Sequence, residues 1–269
     1  KDGFGCCMTV KQTLFSGQSE FQKVDIFDTE SMGRVLTLDG LMMTTERDEF
    51  YYHEMISHIP MMSHKNPESV LVIGGGDGGT IREVLKHDTV KKVVLCEIDG
   101  MVVDACKKYL PTIGCELDNP KVEVKIEDAI EFIKDKKACY DVILIDSTDP
   151  MGPGEGLFTE EFYTNVKEAL KQGGIMAAQS ESPFINQAEM KKMYPLLRKV
   201  FPIVDTFTGP IPSYPGGYWS WCFCSETVSP FDYLDEERAE KITKQCKIYN
   251  KEYHIARFAL PNFVKELTK

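Results

Sequence analysis

The sequence predicts an α/β protein: a doubly wound, mostly parallel β-sheet preceded by a small N-terminal antiparallel β domain. From residue 65 onwards, short aliphatic runs alternate with segments of helical periodicity, as in strands covered by helices on both faces. Before residue 65, short β-branched and aliphatic runs are separated by turn residues, which is typical of an antiparallel meander. We therefore divide the chain into a domain of residues 1–64, including a connecting helix, and a domain of residues 65–269.

The N-terminal domain carries a clear hairpin signal. Asp39 and Gly40 separate the apolar runs 35–38 and 41–43, and an Asp-Gly pair favours a two-residue turn between strands. An amphipathic helix is expected to begin near Thr44 and to run to about Met62. A small sheet with one bare face usually packs on a neighbouring domain or on a second copy of the chain, so an oligomer is expected.

The most informative stretch is a strand, a glycine-rich loop and a helix at residues 69–86. Glycines surround Asp77 in the loop Gly74–Gly79, and a helix is predicted from Thr80. Nucleotide and nucleoside binders hold the ligand at such a turn, because glycine permits positive φ and the helix N-terminus offers free N–H groups. Asp77 would repel a pyrophosphate, so we expect a cationic ligand group there. The alternative is that Asp77 only caps the helix.

The remaining elements follow from the same alternation of strands and helices. Further strands are predicted at residues 92–97, 122–126, 140–146, 175–179, 201–208 and 218–225. Helices are predicted at residues 80–86, 101–110, 129–134, 159–170 and 186–200, in an amphipathic tail from 235, and in a short segment from 260.

Acidic residues follow four consecutive predicted strands. Ligands of open parallel sheets bind beyond the carboxyl ends of the strands, which is where Asp77, Glu97 and Asp128 lie. Glu97, about twenty residues after the glycine loop, suits the carboxylate that accepts ribose hydroxyls, although it could be a solvated strand end. Asp128 could accept from an adenine amino group or simply cap a helix in a capping box.

The fourth strand ends in Asp146, and Asp149 follows in a loop rich in glycine and proline. Two carboxylates on such a loop suit a lid over a cleft, so residues 147–156 are predicted to be mobile without ligands. The structural alternative is a long turn in which Asp149 is fixed before Pro150. Because Asp146 directly ends an apolar strand, we favour a functional role.

Composition narrows the class of protein. The net charge of −11 argues against a nucleic-acid partner and is compatible with cationic ligands. No apolar run is long enough to cross a bilayer and no signal peptide is evident, so a cytoplasmic protein without a membrane partner is expected. The nine cysteines lack C-x-x-C spacing and the five histidines form no ligand pair on one helix face, so no metal site is predicted.

Several of these segments together resemble the spermidine synthase family of putrescine aminopropyltransferases. The resemblance covers nearly the whole chain and is carried by Gly74–Gly79, Glu97–Asp99, Asp146–Pro153 and Tyr51–Glu54. It implies a methyltransferase-like nucleoside-binding catalytic domain behind an N-terminal β domain, usually in a homodimer. The implied substrates are decarboxylated S-adenosylmethionine and putrescine, the products spermidine and methylthioadenosine, and no further cofactor is implied.

The resemblance also implies roles for individual residues, with Asp146 as the catalytic proton acceptor. His53 stands where the family commonly has glutamine. The positions implied for the aminopropyl donor are Gln22, His53, Asp77, Glu97, Asp128 and Ala129. The positions implied for the diamine are Tyr52, Asp146, Asp149, Gln179 and Tyr214.

Three other functions are compatible with a nucleoside-binding fold of this kind. The nearest is N-methylation of putrescine from intact S-adenosylmethionine, which would require Asp77 to tolerate the donor carboxylate. A non-catalytic sensor of polyamines or nucleosides would bind both ligands without turnover. A nicotinamide-dependent dehydrogenase is the least compatible, because Asp77 opposes a pyrophosphate.

Overall fold

The computed structural model describes residues 5–150 and 152–269. Its N-terminal domain is a four-stranded antiparallel sheet whose strands are neighbours in chain order: β1 (Val10–Gln18), β2 (Lys23–Thr29), β3 (Arg34–Leu38) and β4 (Leu41–Thr45). The predicted hairpin turn between β3 and β4 is confirmed, since Asp39 and Gly40 have φ of 49° and 78°. Positive φ at both positions is what a type I′ turn requires.

The helix α1 (Phe50–Ser63) begins six residues later than predicted. Thr44 and Thr45 belong to β4, where they pair with β3, and their β-branched side chains suit a strand. The prediction of an amphipathic helix was also wrong, because every residue from Tyr52 to Ser63 is buried. The helix packs against the large sheet on one side and against the C-terminal segment on the other.

The second domain contains a seven-stranded sheet. Its strands are β5 (Ser69–Gly74), β6 (Lys92–Glu97), β7 (Val122–Ile126), β8 (Tyr140–Asp146), β9 (Leu170–Gln179), β10 (Ile203–Pro210) and β11 (Tyr218–Ser225). They lie in the order β10-β11-β9-β8-β5-β6-β7, and strands β5 to β9 are parallel. Strand β11 is antiparallel to both β9 and β10. The other neighbouring strands are parallel, so the sheet is mostly parallel, as predicted.

Helices cover both faces of this sheet. Those between strands are α2 (Gly79–Leu85), α3 (Gly100–Tyr109), α4 (Ala129–Lys134), α5 (Glu160–Ala169) and α6 (Gln187–Val200). Along β5, Leu71 and Ile73 pack into one apolar cluster and Val70 and Val72 into another, all at most 1% exposed. Each such buried side chain contributes roughly 1.5–3 kcal/mol to folding.

The chain order places the ligand edge of the sheet between β5 and β8. From β5 the chain proceeds to β6 and β7 on one side, and then returns to β8 and β9 on the other. Such a reversal leaves a crevice beyond the carboxyl ends of the two central strands. Gly74 of β5 lies opposite Asp146 of β8 at this point.

The predicted lid segment overlaps a short 3₁₀ helix, Gly152–Phe158, which the sequence pattern did not indicate. Met151, which falls within the predicted lid, lies outside the described residues. The predicted helical tail comprises α7 (Glu236–Thr243), α8 (Lys251–Arg257) and α9 (Asn262–Leu267). Among the residues described, no helix combines the length and the apolar character needed to cross a bilayer.

Candidate active site

A cavity of about 610 Å³ opens at the reversal point, between the carboxyl edge of the large sheet and the N-terminal domain. This volume lies within the usual range for small-molecule sites. Every residue predicted to contact a ligand lines it: Gln22, Tyr52, His53, Asp77, Glu97, Asp128, Ala129, Asp146, Asp149, Gln179 and Tyr214. Their individual roles remain predictions, and the contacts among them define what each can do.

The glycine loop brings the backbone against Asp146. Gly74 has φ of +73°, and a Cβ built there would lie 2.3 Å from the carbonyl oxygen of Asp146. A Cβ on Gly75 would lie 2.7 Å from the Asp146 carboxylate. Only glycine fits at these two positions, so the loop and the end of β8 are held in direct contact.

Asp146 is half-buried in the wall of the cavity and accepts two hydrogen bonds. Tyr52 Oη donates to Oδ1 at 2.7 Å, and Thr80 Oγ1 donates to Oδ2 at 2.6 Å. Burial raises the pKa of Asp146, as does the nearby charge of Asp77, and these effects outweigh the two hydrogen bonds and the charge of His53. A carboxylate with a raised pKa is a better proton acceptor than an ordinary one.

Asp77 also lines the cavity, and its carboxylate contacts both the start of α2 and His53. Oδ1 accepts from the N–H of Gly79 at 2.7 Å, but the N-cap of α2 is Gly78, so the capping alternative is not met in its strict form. The same oxygen lies 3.4 Å from His53 Nε2. Burial would raise the pKa of Asp77, but the charge and hydrogen bond of His53 lower it, so the group is a carboxylate.

His53 is 2% exposed and connects Asp77 to a second acid. Its Nδ1 lies 2.6 Å from Glu49 Oε2. Burial lowers the pKa of His53, but Asp77 and Glu49 more than compensate, so its pKa lies well above the usual value. Arg82 Nη2 donates to the same Glu49 oxygen at 2.7 Å.

Glu97 and Gln22 line the side of the cavity beside β6. Burial raises the pKa of Glu97 to about 7, with a further contribution from Asp99 and opposition from backbone N–H groups of the loop. Glu97 Oε1 accepts from the N–H of Asp99 at 2.9 Å. Gln22 Nε2 donates to Asp99 Oδ2 at 3.1 Å, which attaches the N-terminal domain to this edge of the sheet.

Asp128 and Ala129 form the start of α4. Asp128 is its N-cap and accepts from the N–H of Ile130 at 2.8 Å, as the capping interpretation predicted. A capping carboxylate still has a second oxygen, so this contact leaves the ligand role of Asp128 open.

The opposite end of the cavity is aromatic. The rings of Tyr214 and Trp219 meet edge to face at 4.8 Å, and Tyr214 Oη donates to the carbonyl of Met43 at 2.6 Å. Gln179 ends β9 and accepts from the N–H of Glu181 at 3.0 Å. Together with Asp149, these groups give this end an apolar wall and a polar rim, which suits an aliphatic amine.

Four residues that support the site were not predicted: Thr80, Glu49, Arg82 and Asp99. Thr80 directly follows the glycine loop and Asp99 ends the segment Glu97–Asp99, so their positions beside predicted residues could have indicated a role. Glu49 and Arg82 meet only because α1 packs against α2. No local pattern carries that information.

The sequence also did not indicate a cluster of three possible metal ligands, which α1, α2 and the C-terminal segment bring together. Ligand atoms of His58, Glu83 and Cys246 lie within 4.8 Å of one another. Glu83 is already paired with Arg82 at 2.9 Å and with Lys86 at 2.5 Å. Two adjacent cations leave little negative charge to attract a metal ion.

Comparison with known proteins identifies the family. Residues 49–235 match a family model described as the spermine/spermidine synthase domain, and residues 1–46 match one described as the spermidine synthase tetramerisation domain. A polyamine aminopropyltransferase from Thermotoga neapolitana is 49% identical over 97% of this chain and 89% of its own length. One from Alkaliphilus metalliredigens is 50% identical over 96% of this chain and 91% of its own.

Solved structures agree with the sequence relatives. A spermidine synthase crystallised with the transition state analogue AdoDATO superposes with a TM-score of 0.95 at 48% identity, covering 97% of this chain and 89% of that one. The spermidine synthase of Thermotoga maritima gives 0.91 at 46% identity, with the same coverage of both chains. The chain therefore belongs to the spermine/spermidine synthase family and is an aminopropyltransferase.

Proposed function

We propose that this protein transfers the aminopropyl group of decarboxylated S-adenosylmethionine to putrescine, giving spermidine and methylthioadenosine. The observation that carries the proposal is that two half-buried carboxylates, Asp77 and Asp146, line one cavity and affect each other's charge state. The decarboxylated donor ends in an ammonium, which suits Asp77, whereas the carboxylate of intact S-adenosylmethionine would be repelled. Asp146 lies at the end of β8, where an attacking amine would be held.

The reaction is a direct displacement. The lone pair of a neutral putrescine amine attacks the carbon attached to the sulfonium, the C–N bond forms, and the C–S electron pair stays on sulfur. Asp146 accepts a proton from the amine as the C–N bond forms, and methylthioadenosine leaves as a neutral molecule. Holding both substrates in line supplies much of the rate.

The proton transfer needs help from the site. An alkyl amine with pKa near 10.4 and an ordinary aspartate near 3.9 differ by about 9 kcal/mol. Burial and the Asp77 charge raise the pKa of Asp146, which reduces the pKa difference between the amine and the carboxylate. The sulfonium charge of the bound donor lowers the pKa of the amine, which reduces the same difference further.

Mass spectrometry of putrescine incubated with the protein tests the reaction. Decarboxylated S-adenosylmethionine should add one aminopropyl group, and intact S-adenosylmethionine should add nothing. Addition of a methyl group from the intact donor would contradict the proposal in favour of N-methylation. Binding of both ligands without any product would indicate a sensor.

Asp77→Asn separates the charge requirement from nucleoside binding. We expect the variant to lose affinity for the decarboxylated donor far more than for methylthioadenosine, which has no ammonium. Calorimetry with both ligands measures this difference, and equal losses would contradict the role of Asp77.

We also propose that the chain forms a homo-oligomer, with a homodimer as the smallest unit, through its N-terminal sheet. The match of residues 1–46 to a tetramerisation domain supports this, as do the half-exposed side chains of Val10 and Leu41 on that sheet. Analytical ultracentrifugation should show a dimer or tetramer, with Leu41→Lys shifting it towards smaller species. A native monomer at micromolar concentration would contradict it.

A further inference from the structure

We propose that Glu49 is a positioning residue for the aminopropyl donor: with Arg82 it fixes His53 so that the ring donates to one oxygen of Asp77 and leaves the other for the donor ammonium. The inference rests on the proposed function. It adds Glu49, which also lines the cavity, as a group that acts through His53.

The chain of contacts begins on α2 and crosses to α1. Arg82 is fixed by three acceptors, since its Nη1 donates to the carbonyl of Thr112 and its Nε to Glu83, both at 2.9 Å, besides Nη2 to Glu49 at 2.7 Å. Glu49 is 8% exposed and accepts from both Arg82 and His53 on its Oε2. A buried carboxylate held between two cations has little freedom to rotate.

His53 has a carboxylate at each ring nitrogen. Nδ1 faces Glu49 at 2.6 Å and Nε2 faces Asp77 at 3.4 Å. A neutral imidazole would direct a lone pair at one of these two anions, whereas an imidazolium donates to both. The geometry therefore favours the doubly protonated ring, in agreement with the raised pKa of His53.

The ring is also fixed sterically. A Cβ on Gly79 would lie 2.2 Å from His53 Cε1, so the imidazole lies flat against the backbone at the start of α2. On its other side the ring meets Tyr52 edge to face at 5.5 Å. Because the ring cannot swing away, its orientation depends on the groups at its two nitrogens.

The consequence falls on Asp77. Within the described residues, the contacts of this carboxylate with Gly79 and His53 both involve Oδ1. Oδ2 is then the oxygen that remains to accept from a ligand in the cavity. If His53 lost its Nε2 proton, Oδ1 would face a lone pair and be held by the N–H of Gly79 without the histidine, so the carboxylate would be less restrained.

The titratable and charged groups around His53 come from four elements. From α1 come Glu49 and Tyr52, from α2 comes Arg82, and from the ends of β5 and β8 come Asp77 and Asp146. Burial and Asp146 hold the pKa of Tyr52 well above its usual value, so Tyr52 stays neutral. Glu49 also lines the cavity, but its Oε2 is held by both His53 and Arg82, so it acts on the site through the histidine.

The first test examines the free protein, without substrates. Histidine ring signals are followed by NMR against pH in the native chain, in Glu49→Gln and in Glu46→Gln, with His53→Gln used for assignment. Glu46 is a matched control, since it accepts hydrogen bonds from Arg34 and Thr112 but does not contact His53. We expect the His53 signal to titrate at lower pH in Glu49→Gln than in the native chain. In Glu46→Gln, the pH at which this signal titrates should be the same as in the native chain.

The second test measures donor affinity by calorimetry at about pH 6 and about pH 8, chosen to lie on either side of an ordinary histidine pKa. Glu49→Gln should weaken binding of the decarboxylated donor about tenfold at the higher pH and less at the lower, a size typical of coupled polar networks. Affinity for methylthioadenosine should stay within about twofold. In a His53→Gln background, the Glu49→Gln change should have little further effect.

Two results would overturn the proposal. One is an unchanged His53 titration in Glu49→Gln, and the other is a donor affinity that falls equally at both pH values or equally in the His53→Gln background. If Glu49→Gln does not fold, Glu49→Asp keeps the charge at a shorter reach and should show smaller shifts in the same direction. A native chain that bound no decarboxylated donor would overturn the proposed function itself, whereas native binding with an unaffected variant overturns only the role of Glu49.

Discussion

The side chain of Asp146 accepts hydrogen bonds from Tyr52 and Thr80. Because an asparagine has the same size, we expect the Asp146→Asn substitution to leave these neighbours close to their native positions. Asp146→Asn keeps the size and one acceptor oxygen but removes the carboxylate that we propose as the base. We expect turnover to fall by ~10²-fold or more, with little change in donor affinity. Steady-state kinetics and calorimetry on the same preparation measure both quantities.

The control for this variant is Asp104→Asn, an exposed acid on α3. It should behave as the native enzyme in both measurements. If Asp146→Asn retained near-native turnover at neutral pH, the proton acceptor would be another group, with Asp149 or Tyr52 as the next candidates.

Glu97 has a pKa raised to about 7, so it should change charge when a ribose binds. Hydroxyl donors favour the carboxylate, so binding of methylthioadenosine at about pH 7 should release up to ~0.5 proton. Calorimetry in two buffers of different ionisation enthalpy measures the release. Glu97→Gln should abolish it, and proton uptake in the native protein would contradict the assignment.

The same shift has a consequence for stability. Since the pKa in the folded protein lies above that in the unfolded chain, Glu97 contributes stability below about pH 4.5, and this contribution is lost as pH rises to about 7. Bound ribose should offset the loss, because its hydroxyls supply the acceptor with donors.

The sequence predicted the acids at the strand ends that line the cavity, but it predicted neither Asp48 and Glu49, which line it too, nor how the acids are paired. Asp77, Glu97 and Asp146 were predictable because the carboxyl ends of parallel strands meet at one edge. The hydrogen bond from Tyr52 to Asp146 joins residues 94 positions apart. Such a contact depends on where α1 lies over the sheet, which no local pattern specifies.

At the scale of elements, α1 is anchored through Glu54. This carboxylate is 1% exposed and accepts from the backbone N–H groups of Lys247, Ile248 and Tyr249 at 2.7 to 2.9 Å. Glu54→Gln would direct an amide N–H₂ at these donors. We expect it to reduce the free energy of unfolding by about 2–4 kcal/mol.

Urea denaturation at a fixed protein concentration measures this effect, because assembly would otherwise contribute. Glu237→Gln is the matched control, since Glu237 is exposed on α7. A loss below about 0.5 kcal/mol in Glu54→Gln, the size usual for surface changes, would show that the three contacts are not needed.

The start and the burial of α1 show where element prediction failed. Thr44 and Thr45 were assigned to the helix because acidic and polar residues follow them, yet pairing with β3 placed them in a strand. Its apparent amphipathicity was misleading because His53, Glu54 and His58 are polar residues with buried partners. Periodicity cannot distinguish a polar residue facing solvent from one facing a buried partner.

For the whole molecule, the charge of −11 should assist capture of cationic substrates. Raising salt from about 0.01 M to about 1 M shortens the Debye length from about 30 Å to about 3 Å. We expect kcat/KM for putrescine to fall about tenfold or more, with kcat nearly unchanged. Binding of uncharged methylthioadenosine is the control and should change little.

If kcat/KM for putrescine stayed constant over this range of salt, electrostatic steering by the net charge would be excluded.

The overall architecture was the most predictable property, because strand and helix alternation specifies a wound sheet whatever its ligands. The order of the strands was not predicted, since several orders satisfy the same alternation.

Three consecutive residues of α1 serve three separate partners: Tyr52 reaches Asp146, His53 reaches Asp77, and Glu54 reaches the 247–249 backbone. Successive side chains of a helix point about 100° apart. The directions of these three side chains therefore depend on the number of residues between Glu49 and each of them. Inserting or deleting a single residue in this turn would rotate all three away from their partners at once. Natural length variation in such enzymes should therefore fall outside this turn, and libraries for engineering should vary its side chains but never its length.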